Sequence, residues 1–459
     1  MPVNIRISKI LYPKENPPPK TNTVIWLKMS VDNSIKEYKA SFEEWVLSRD
    51  IKHWGTNTGA STIAFQRWRH FKEAFAPELI RRAVSESPIP VKSCLDPFGG
   101  SGTTALACQF LGIHPHTIEV NPYLADLIES KLSSYDPFEV SRDFGKTVKN
   151  SYEIAPNKKR LADQSPPTFY EPGEKGRWIF NDSTADRLSC ILESIEKLPN
   201  KKHARLFRSL LGGVLVDASN VIVNGKGRRY RKNWNTRSIE ANHIDNLFQS
   251  AVKNAIGDIT RYGSRQHSEY CLLRGDSRLL ASESGKIDLC VFSPPYPNSF
   301  DYTDVYNVEL WVLGYLSSKE SNRDLRNKTL SSHVQIFRNY EKVPLNSESL
   351  NEAIAMLIEK RHQLWNKNIP EMIGGYFADL IRVIDGVKKN LSTNGTMWMV
   401  VGDSRYVGVM IPTAKILSEL LIIDGWRLIK NEPFRSMRVS AQQGGHFGLD
   451  ETLLVMQKI

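Results

Sequence analysis

The feature that most constrains the fold is a glycine-rich turn between a short apolar strand and a helix, Asp96-Pro-Phe-Gly-Gly-Ser-Gly-Thr-Thr104. Glycines in such a turn allow positive φ and let backbone N–H groups approach a ligand at a helix N-terminus. No Gly-Lys-Ser/Thr follows, so the turn lacks the pattern of a phosphate-binding loop. About twenty residues further on, Glu119 ends a second strand, where an acidic side chain binds ribose hydroxyls in nucleoside-binding folds. This β-α-β-α pattern predicts the start of a doubly wound α/β sheet with a nucleoside cofactor.

A second motif, Ser293-Pro294-Pro295-Tyr296, follows the apolar segment from Ile287 to Phe292, which is predicted to be a strand. Open α/β sheets bind ligands at the carboxyl ends of their strands. Two prolines stiffen the loop and leave carbonyls that can accept hydrogen bonds from an amino group. The Ser293 hydroxyl can do the same, and Tyr296 offers a ring on which a base can stack. The motif predicts a site for the amino group of a base, with a simple proline turn as the alternative.

The composition is that of a folded protein, since 41% of the 459 residues are hydrophobic and 24% are charged. No run approaches the length of an apolar membrane-spanning helix, and the proline-rich segment from Met1 to Lys20 has no apolar leader. The five cysteines lack paired spacing, so neither a zinc site nor a disulfide framework is expected, and a cytoplasmic location is predicted. The histidines at 114, 116, 203 and 446 suggest no ligand set, and no metal is expected.

The positive charge is concentrated in one region of the chain. The net charge is +11, and residues 151–268 contain 20 lysines and arginines against 12 acidic residues, an excess of eight. Lysine and arginine neutralise phosphates, and arginine also reads guanine edges. We predict DNA contacts there, although a solvated basic surface is the alternative. The basic residues of this predicted contact are Lys226, Arg228, Arg229, Arg231, Lys232 and Arg237.

Together the two motifs resemble those of the S-adenosylmethionine-dependent DNA amino-methyltransferases, which methylate cytosine N4 or adenine N6. Residues 96–104 match the family's cofactor motif throughout, and residues 293–296 match its catalytic motif. The segment from Phe75 to Leu79 resembles the family's N-terminal cofactor-packing motif. The resemblance covers residues 65–132, 270–315 and 372–457.

The resemblance implies a doubly wound, Rossmann-like class I methyltransferase sheet, with a large, mostly helical, basic insertion. It also implies S-adenosylmethionine as the cofactor. The glycines would surround its methionine part, Asp96 its amino group, Glu119 the ribose hydroxyls and Asp276 the adenine amino group. The residues implied to bind the cofactor are Phe75, Pro77, Asp96, Phe98, Gly99, Gly100, Ser101, Gly102, Thr103, Glu119 and Asp276. The residues implied to be catalytic are Ser293, Pro294, Pro295 and Tyr296.

The chain is expected to divide into six regions. The large insertion falls between Glu119 and Asp276, which matches none of the family's common arrangements cleanly. In addition, apolar spacing predicts a helix over 61–86 and helical structure over 351–391.

The six expected regions are an N-terminal arm (1–60), the cofactor-binding half of the core (61–132), an insertion predicted to recognise and bind DNA (133–268), the catalytic half (269–316), a second insertion with a candidate DNA contact (317–371) and the remainder of the core (372–459).

The implied reaction is methyl transfer to a base flipped out of duplex DNA. Serine at 293 resembles the N4-cytosine members most, so cytosine N4 is favoured and adenine N6 is the alternative. No Pro-Cys motif is present, which argues against C5-cytosine methylation, because that reaction needs a covalent cysteine adduct. RNA methylation, as in the guanine-N2 tRNA methyltransferases, and a catalytically idle binding module are weaker alternatives. A monomer is the default, and whether a restriction or defence nuclease accompanies the protein stays open.

Two side chains after the second motif are further candidates for the base pocket. Phe300 or Tyr302 is predicted to wedge the pocket on DNA binding, and packing against the following helix is the alternative. In the second insertion, His333 is expected to be a surface histidine.

Overall fold

The computed structural model describes residues 39–51, 54–57, 59–71, 74–224, 227–237, 240–437 and 448–459. In these residues eleven strands form one large sheet and two small hairpins. The strands are β1 (Ser93–Asp96), β2 (His114–Glu119), β3 (Val221–Asn224), β4 (Gly227–Tyr230), β5 (Cys271–Arg274), β6 (Ile287–Phe292), β7 (Leu391–Gly402), β8 (Ser404–Tyr406), β9 (Val409–Ile411), β10 (Trp426–Met437) and β11 (Leu449–Lys458).

The large sheet has seven strands in the order β10-β11-β7-β6-β1-β2-β5. The five strands from β7 to β5 are parallel, and β11 runs antiparallel to both β7 and β10. The chain leaves β1 towards β2 and β5, then returns to place β6 on the other side of β1. Such a reversal opens a crevice outside the carboxyl ends of the strands. This is the doubly wound, Rossmann-like α/β fold that the sequence predicts.

Sixteen α-helices are present in the described residues and cover both faces of the sheet. They are α1 (Phe42–Trp45), α2 (Glu78–Ser85), α3 (Thr103–Leu111), α4 (Pro122–Leu132), α5 (Pro137–Glu153), α6 (Lys158–Asp163), α7 (Asp182–Glu196), α8 (Lys201–Val214), α9 (Ala241–Tyr262), α10 (Ser277–Leu280), α11 (Tyr302–Val305), α12 (Asn307–Val312), α13 (Lys319–Asn327), α14 (Glu348–Glu359), α15 (Ile369–Asn390) and α16 (Thr413–Ile423).

Side chains point alternately to the two faces of the large sheet, and each face is covered by its own apolar core. In β6, Leu289 and Val291 belong to one core, and Cys290 and Phe292 belong to the other. Successive side chains of a strand point to opposite faces, so a strand buried on both faces is apolar throughout. The first core includes α3, α4 and the helices of the insertion, and the second includes α14, α15 and α16.

The insertion between β2 and β5 is mostly helical, as expected. Its helices α5, α7, α8 and α9 pack on one another, and α8 also packs on α4 of the core. Arg228 and Arg229 of the basic cluster lie on β4, which pairs with β3 in a basic hairpin. Arg231, Lys232 and Arg237 follow β4, and the turn of the hairpin, including Lys226, lies outside the described residues. The insertion therefore joins the first apolar core instead of forming a separate body.

The predicted helix over 61–86 is wrong for most of its length, since only α2 (Glu78–Ser85) is α-helical. Tertiary contacts replace helical hydrogen bonds before it. The carboxylate of Asp258, on α9, accepts hydrogen bonds from the backbone N–H of Phe65 at 2.8 Å and from the indole N–H of Trp68 at 2.9 Å. Phe65 also has a φ of 63°, outside the helical region. The apolar spacing of this segment reflects burial in the core, not a continuous helix.

Two further segments complete the core. The stretch predicted to be helical over 351–391 forms two helices, α14 and α15, because Pro370 lies in the first turn of α15, where proline favours a helix start. Near the other end of the described chain, Trp45 is buried and stacks on Phe110, with ring centroids 4.5 Å apart. The compact unit extends from Lys39 to Ile459. No helix among the described residues is both long enough and apolar enough to cross a membrane.

Candidate active site

A cavity of about 250 Å³ lies at the carboxyl ends of β1, β2 and β6, where the chain order reverses. Both motifs line it, although they are far apart in the sequence. Gly102, Pro77 and Phe300 are not among its lining residues, and neither is any described residue of the basic hairpin. The predicted site residues that line the cavity are Phe75, Asp96, Phe98, Gly99, Gly100, Ser101, Thr103, Glu119, Asp276, Ser293, Pro294, Pro295, Tyr296 and Tyr302.

The glycine-rich turn is held tightly against the sheet. Gly102, with a φ of 81°, occupies the position before α3, which a residue with a Cβ would adopt only with strain. On the opposite side, the fully buried Lys131 of α4 donates from Nζ to the carbonyl of Ser101 at 2.7 Å. Burial lowers the pKa of Lys131 to about 7. This lysine could not be predicted from its sequence position, because it lies within an ordinary amphipathic helix.

Glu119 ends β2 and places its carboxyl group across the glycine-rich turn. One carboxylate oxygen accepts from the N–H of Gly100 at 2.7 Å, and the other accepts from the N–H of Asn121 at 2.8 Å. Burial is the main cause that raises the pKa of Glu119 to about 7, and Asp96 adds to the rise. The carboxylate is thus fixed in orientation and changes charge near neutral pH.

Two other predicted carboxylates stand in different environments. Asp96, at the end of β1, accepts from the N–H of Phe98 at 2.9 Å, and burial raises its pKa to about 6. Asp276 caps α10 and is paired with Arg278, whose Nη2 lies 2.7 Å from Asp276 Oδ2. Arg278 also pairs with the buried Asp379 at 3.1 Å. Asp276 lines the cavity with its charge already balanced, and its contact with adenine stays a prediction.

The second motif presents oxygen acceptors beside an aromatic ring. The Ser293 hydroxyl donates to the carbonyl of Val400 on β7 at 2.9 Å, so its own proton is already engaged. The Tyr296 hydroxyl donates to Oε1 of Glu451 on β11 at 2.9 Å. Burial, followed by the charge of Glu451, holds the pKa of Tyr296 well above its usual range, so the phenol stays neutral. Ser293 can therefore accept a further hydrogen bond from a ligand in the cavity.

The segment after the second motif and the second insertion form another wall of the cavity. Tyr302, Thr303 and Tyr306 belong to it, as does the stretch from Lys328 to His333. Phe300 packs edge-on against Tyr302, with ring centroids 5.0 Å apart, and is partly buried in the core. Tyr302 therefore remains the candidate for the base pocket.

The expectation that His333 is a surface histidine is wrong. His333 is 1% exposed, and its Nε2 lies 2.8 Å from Nη2 of Arg338. Burial lowers the pKa of His333 well below its ordinary value, so the imidazole is neutral at pH 7. The charged residues around it suggested a surface from sequence alone. In the structure Arg326 pairs with Asp301 and Asp304. Arg338 donates to the backbone carbonyls of Arg326 and Thr329.

The basic hairpin lies next to the cavity wall, not in it. Its strand β4 contacts α11, the helix that begins with Tyr302. Arg228 and Arg229 are exposed on β4. Arg231 and Arg237, in contrast, each donate to the carbonyl of Ser219 at 3.1 Å. These two arginines hold their own loop. The guanidinium of the exposed Arg228 lies 5.4 Å from the centroid of the Phe169 ring.

One group of described residues could bring three metal ligands together, away from the cavity. Ligand atoms of His114, His267 and Glu269 lie within 4.8 Å of one another. The two histidines come from positions 153 residues apart, and their ring nitrogens share a hydrogen bond of 3.0 Å. His114 begins β2, so this group lies at the end of the strand opposite Glu119. Neither histidine lines the cavity.

The doubly wound sheet, with a glycine-rich turn and a buried carboxylate beside a proline loop at the carboxyl ends of its strands, is that of a Rossmann-like methyltransferase. Comparison with known proteins agrees with this assignment. Residues 7–130 match the family of N6/N4 methyltransferases described as "DNA methylase". This match supports the family that the two motifs predict, the DNA amino-methyltransferases.

Several relatives extend over most of the chain. It is 26% identical to the type II methyltransferase M.AvaI from Nostoc sp. over 396 residues, which are 77% of each protein. It is also 26% identical to the type II methyltransferase M.BsoBI from Geobacillus stearothermophilus over 433 residues, 84% of this chain and 83% of the relative. Among solved structures, the rRNA methyltransferase aviRa from Streptomyces viridochromogenes aligns with a TM-score of 0.27 and 10% identity, over 84% of this chain and 85% of that one.

The residues of the cavity fit S-adenosylmethionine. A nucleoside needs acceptors for its vicinal hydroxyls, and the Glu119 carboxylate lies in the cavity wall with a fixed orientation. The methionine part carries an amino and a carboxylate group, and the buried Asp96 and the backbone at the N-terminus of α3 offer the complementary charges. Phe71 and Phe75 supply an apolar wall.

Proposed function

We propose that this protein transfers a methyl group from S-adenosylmethionine to the exocyclic N4 amino group of a cytosine flipped out of duplex DNA. The observation that supports this most strongly is that one cavity is lined by both the glycine-rich turn with Glu119 and the Ser293–Tyr296 motif. A donor site and an acceptor site in one cavity fit a direct transfer between two bound molecules, since catalysis depends on holding both reactants in line.

The first requirement is a cofactor held in one orientation. Glu119 would accept the ribose hydroxyls, Asp96 would face the amino group, and the backbone of Gly99 to Gly102 would follow the methionine part. When bound, S-adenosylmethionine supplies an electrophilic methyl group on its sulfonium. The phenyl rings of Phe71 and Phe75 would exclude water from this end of the cavity.

The second requirement is a more nucleophilic amine. The lone pair of an exocyclic amino group is delocalised into the base, so acceptors that hold both N–H groups favour the geometry in which the lone pair is free. Ser293 is suited to accept one of them because its own proton is donated to the carbonyl of Val400. The Pro294 carbonyl is our candidate for the second acceptor. Preorganised polar groups of this kind supply most of the catalysis in such sites.

The third requirement is access to a paired base. Flipping costs a few kcal/mol of lost stacking and pairing. Stacking on an aromatic side chain returns about 1–3 kcal/mol. Tyr296 is our candidate for this role, and Tyr302, which also lines the cavity, is a second candidate ring. The exposed Arg228 and Arg229 lie next to the cavity wall that includes Tyr302, where phosphates would pass.

Cytosine N4 is the acceptor we favour, because Ser293 resembles the form of the motif found in N4-cytosine members. Adenine N6 is the second candidate. No cysteine lines the cavity, so covalent attack on cytosine C6, which C5 methylation needs, has no nucleophile there. The relatives named type II methyltransferases support DNA as the substrate. We further propose that the protein is located in the cytoplasm, together with its DNA substrate. We also propose that a restriction nuclease is its functional partner.

The test is a transfer assay with S-adenosylmethionine labelled on its methyl group. Unmethylated genomic DNA and total tRNA are offered in parallel to the purified protein. We expect label in DNA and none in tRNA. Label in tRNA alone would make this an RNA methyltransferase, and the absence of transfer to either acceptor would refute the proposed activity.

A further inference from the structure

Glu451 is a buried carboxylate that the two motifs do not explain. It is 2% exposed and lines the cavity, yet it lies on β11, more than a hundred residues after the second motif. A buried carboxylate is costly unless it is paired and hydrogen-bonded. Its partners therefore indicate what it is there to hold.

Three contacts fix this carboxylate. Tyr296 donates from its hydroxyl to Oε1 at 2.9 Å. Arg435 donates from Nε to Oε2 at 2.8 Å and from Nη2 to Oε1 at 3.1 Å, so the two side chains form a bidentate ion pair. Arg435 and Glu451 are also direct partners in the β10–β11 register. The arginine thus balances the charge, while one carboxylate oxygen remains directed at the tyrosine.

The supporting backbone leaves little freedom for the carboxylate. Glu451 pairs with Gly402 of β7 as well as with Arg435 of β10, so β11 is fixed on both sides. Gly55 closes the remaining side, because a Cβ on Gly55 would lie only 1.8 Å from Oε2 of Glu451. A side chain held by two neighbouring strands and a close backbone is a rigid support for a functional group.

We propose that Glu451, clamped by Arg435, is a positioning residue that holds Tyr296 in the orientation needed to stack the target base. Tyr296 is half-buried, with its hydroxyl end anchored on β11 and the rest of the ring lining the cavity. The Ser293 hydroxyl lies 3.4 Å from the Tyr296 hydroxyl, so the same anchor supports the serine. This inference rests on the proposed function, since it assigns a role to Tyr296 in base binding.

The test is a double-mutant cycle of Tyr296→Phe and Glu451→Gln, measured as the single-turnover rate of methyl transfer to DNA with saturating cofactor. If Glu451 acts through the tyrosine hydroxyl, E451Q slows transfer about tenfold in the wild-type background but less than about twofold in Y296F. The dissociation constant of S-adenosylmethionine, measured by calorimetry, stays within about twofold of the wild-type value. Equal effects of E451Q in both backgrounds, or a wild-type rate for E451Q, would overturn the proposal.

Two further variants separate positioning from folding. Glu432→Gln is the matched control. Glu432 lies on β10 and forms an ion pair with Arg82 of α2, but it does not line the cavity. The E432Q variant leaves transfer unchanged. Gly55→Ala displaces the Glu451 carboxylate without changing any charge, so it slows transfer like E451Q and adds nothing to that variant. If E451Q does not fold, the result for G55A decides instead.

The same experiment distinguishes this inference from the proposed function. Wild-type protein that binds S-adenosylmethionine but transfers nothing to DNA overturns the proposed function, and the role of Glu451 with it. Active wild-type protein with an additive cycle overturns the role of Glu451 alone.

Discussion

At the scale of single residues, the orientation of one proton gives Ser293 its chemical character. Its hydroxyl donates to Val400 at 2.9 Å, so lone pairs are left for an incoming N–H group. A hydroxyl is both a donor and an acceptor, and its surroundings decide which role remains. The acceptor role of Ser293 therefore depends on β7 as much as on the motif that contains it.

The first prediction concerns Ser293→Ala. The variant removes the hydroxyl that we propose accepts a hydrogen bond from the target amine, and it leaves the proposed cofactor-binding residues unchanged. We expect the transfer rate to fall about 100-fold or more, with cofactor affinity unchanged. Ser404→Ala is the control, since Ser404 is buried, lines no part of the cavity and should leave the rate unaltered. Full activity of S293A would remove this serine from the mechanism.

The second prediction concerns the pH dependence of cofactor binding. Glu119 has a pKa of about 7 because it is buried, and only the carboxylate can accept two ribose hydroxyls. Affinity for S-adenosylmethionine should weaken as the pH falls from about 8 to about 6. Glu119→Gln should bind about tenfold more weakly at pH 8 and lose most of this dependence. Asp96, with a pKa of about 6, contributes to the lower end of the profile. Calorimetry across this range measures both effects, and a flat wild-type profile would contradict the assignment.

The same carboxyl group affects folding with a defined sign. Its pKa is raised from 4.5 to about 7, so between these values the folded protein holds a proton that the unfolded chain has lost. The free energy of unfolding of the free protein therefore falls as the pH rises through this window. Denaturant titration of wild-type protein and E119Q should show a smaller fall for the variant, and equal falls would contradict the cause given for the shift.

The sequence was sufficient for residues that belong to a local pattern and insufficient for residues brought in by the fold. Asp96, Glu119 and Ser293 each follow a predicted strand, so their meeting at one edge could be predicted. Glu451 and Lys131 stand in ordinary apolar segments of a strand and a helix. Their roles arise from contacts across the fold, which no local spacing of a single sequence encodes.

At the scale of elements, the hairpin of β3 and β4 is the part of the insertion that we propose contacts DNA. Arg228 and Arg229 are adjacent on β4, both exposed, and the strand contacts the helix that begins with Tyr302. The composition of the insertion predicted a basic region, but it did not predict a hairpin next to the cavity wall. This placement results from the packing of the insertion on the core.

The third prediction is that the double variant Arg228→Ala/Arg229→Ala weakens DNA binding and reduces its salt dependence. Each lost phosphate contact lowers the slope of log K against log salt by about 0.9, so the expected change is about two. The control removes two charges elsewhere, Lys149→Ala/Lys415→Ala, at well exposed positions on α5 and α16. Binding titrations at several salt concentrations measure the slope, and an equal loss in both variants would show a general charge effect.

Arg231 and Arg237 should behave differently, although they belong to the same predicted cluster. Both donate to the carbonyl of Ser219, and Arg231 also donates to Val216 at 3.1 Å. Alanine at either position removes at least one part-buried hydrogen bond to these carbonyls, each worth about 0.5–1.5 kcal/mol. We expect a lower free energy of unfolding for these variants, measured by denaturant titration, before any change in the salt slope.

Among the helices, periodicity alone misjudged one long segment. The apolar spacing over 61–86 is real, but the chain turns at Phe65 and uses Asp258 of α9 as a hydrogen-bond partner. A single acidic side chain nearly two hundred residues away thus binds one backbone N–H, that of Phe65, and the side chains of Arg67 and Trp68. The insertion therefore helps shape the segment that leads to Phe75 in the cavity wall.

At the scale of the whole molecule, the order of strands brings the site together. β1, β2 and β6 supply the residues of both motifs, and β11 supplies Glu451 from the far end of the described chain. The early β-α-β-α pattern predicted a doubly wound sheet, and β10 and β11 complete it at one edge. What could not be predicted is that this pair reaches back to Tyr296, because that requires the register between β7, β10 and β11.

The measurement that tests the central claim most directly is the identity of the methylated nucleoside. Unmethylated duplex DNA is incubated with the protein and S-adenosylmethionine labelled on its methyl group, hydrolysed to nucleosides and analysed by mass. We predict N4-methylcytosine, formed about 100-fold or more slowly when Ser293→Ala replaces the wild-type protein. N6-methyladenine alone would contradict cytosine as the acceptor, and DNA without any methylated amino group would contradict the account as a whole.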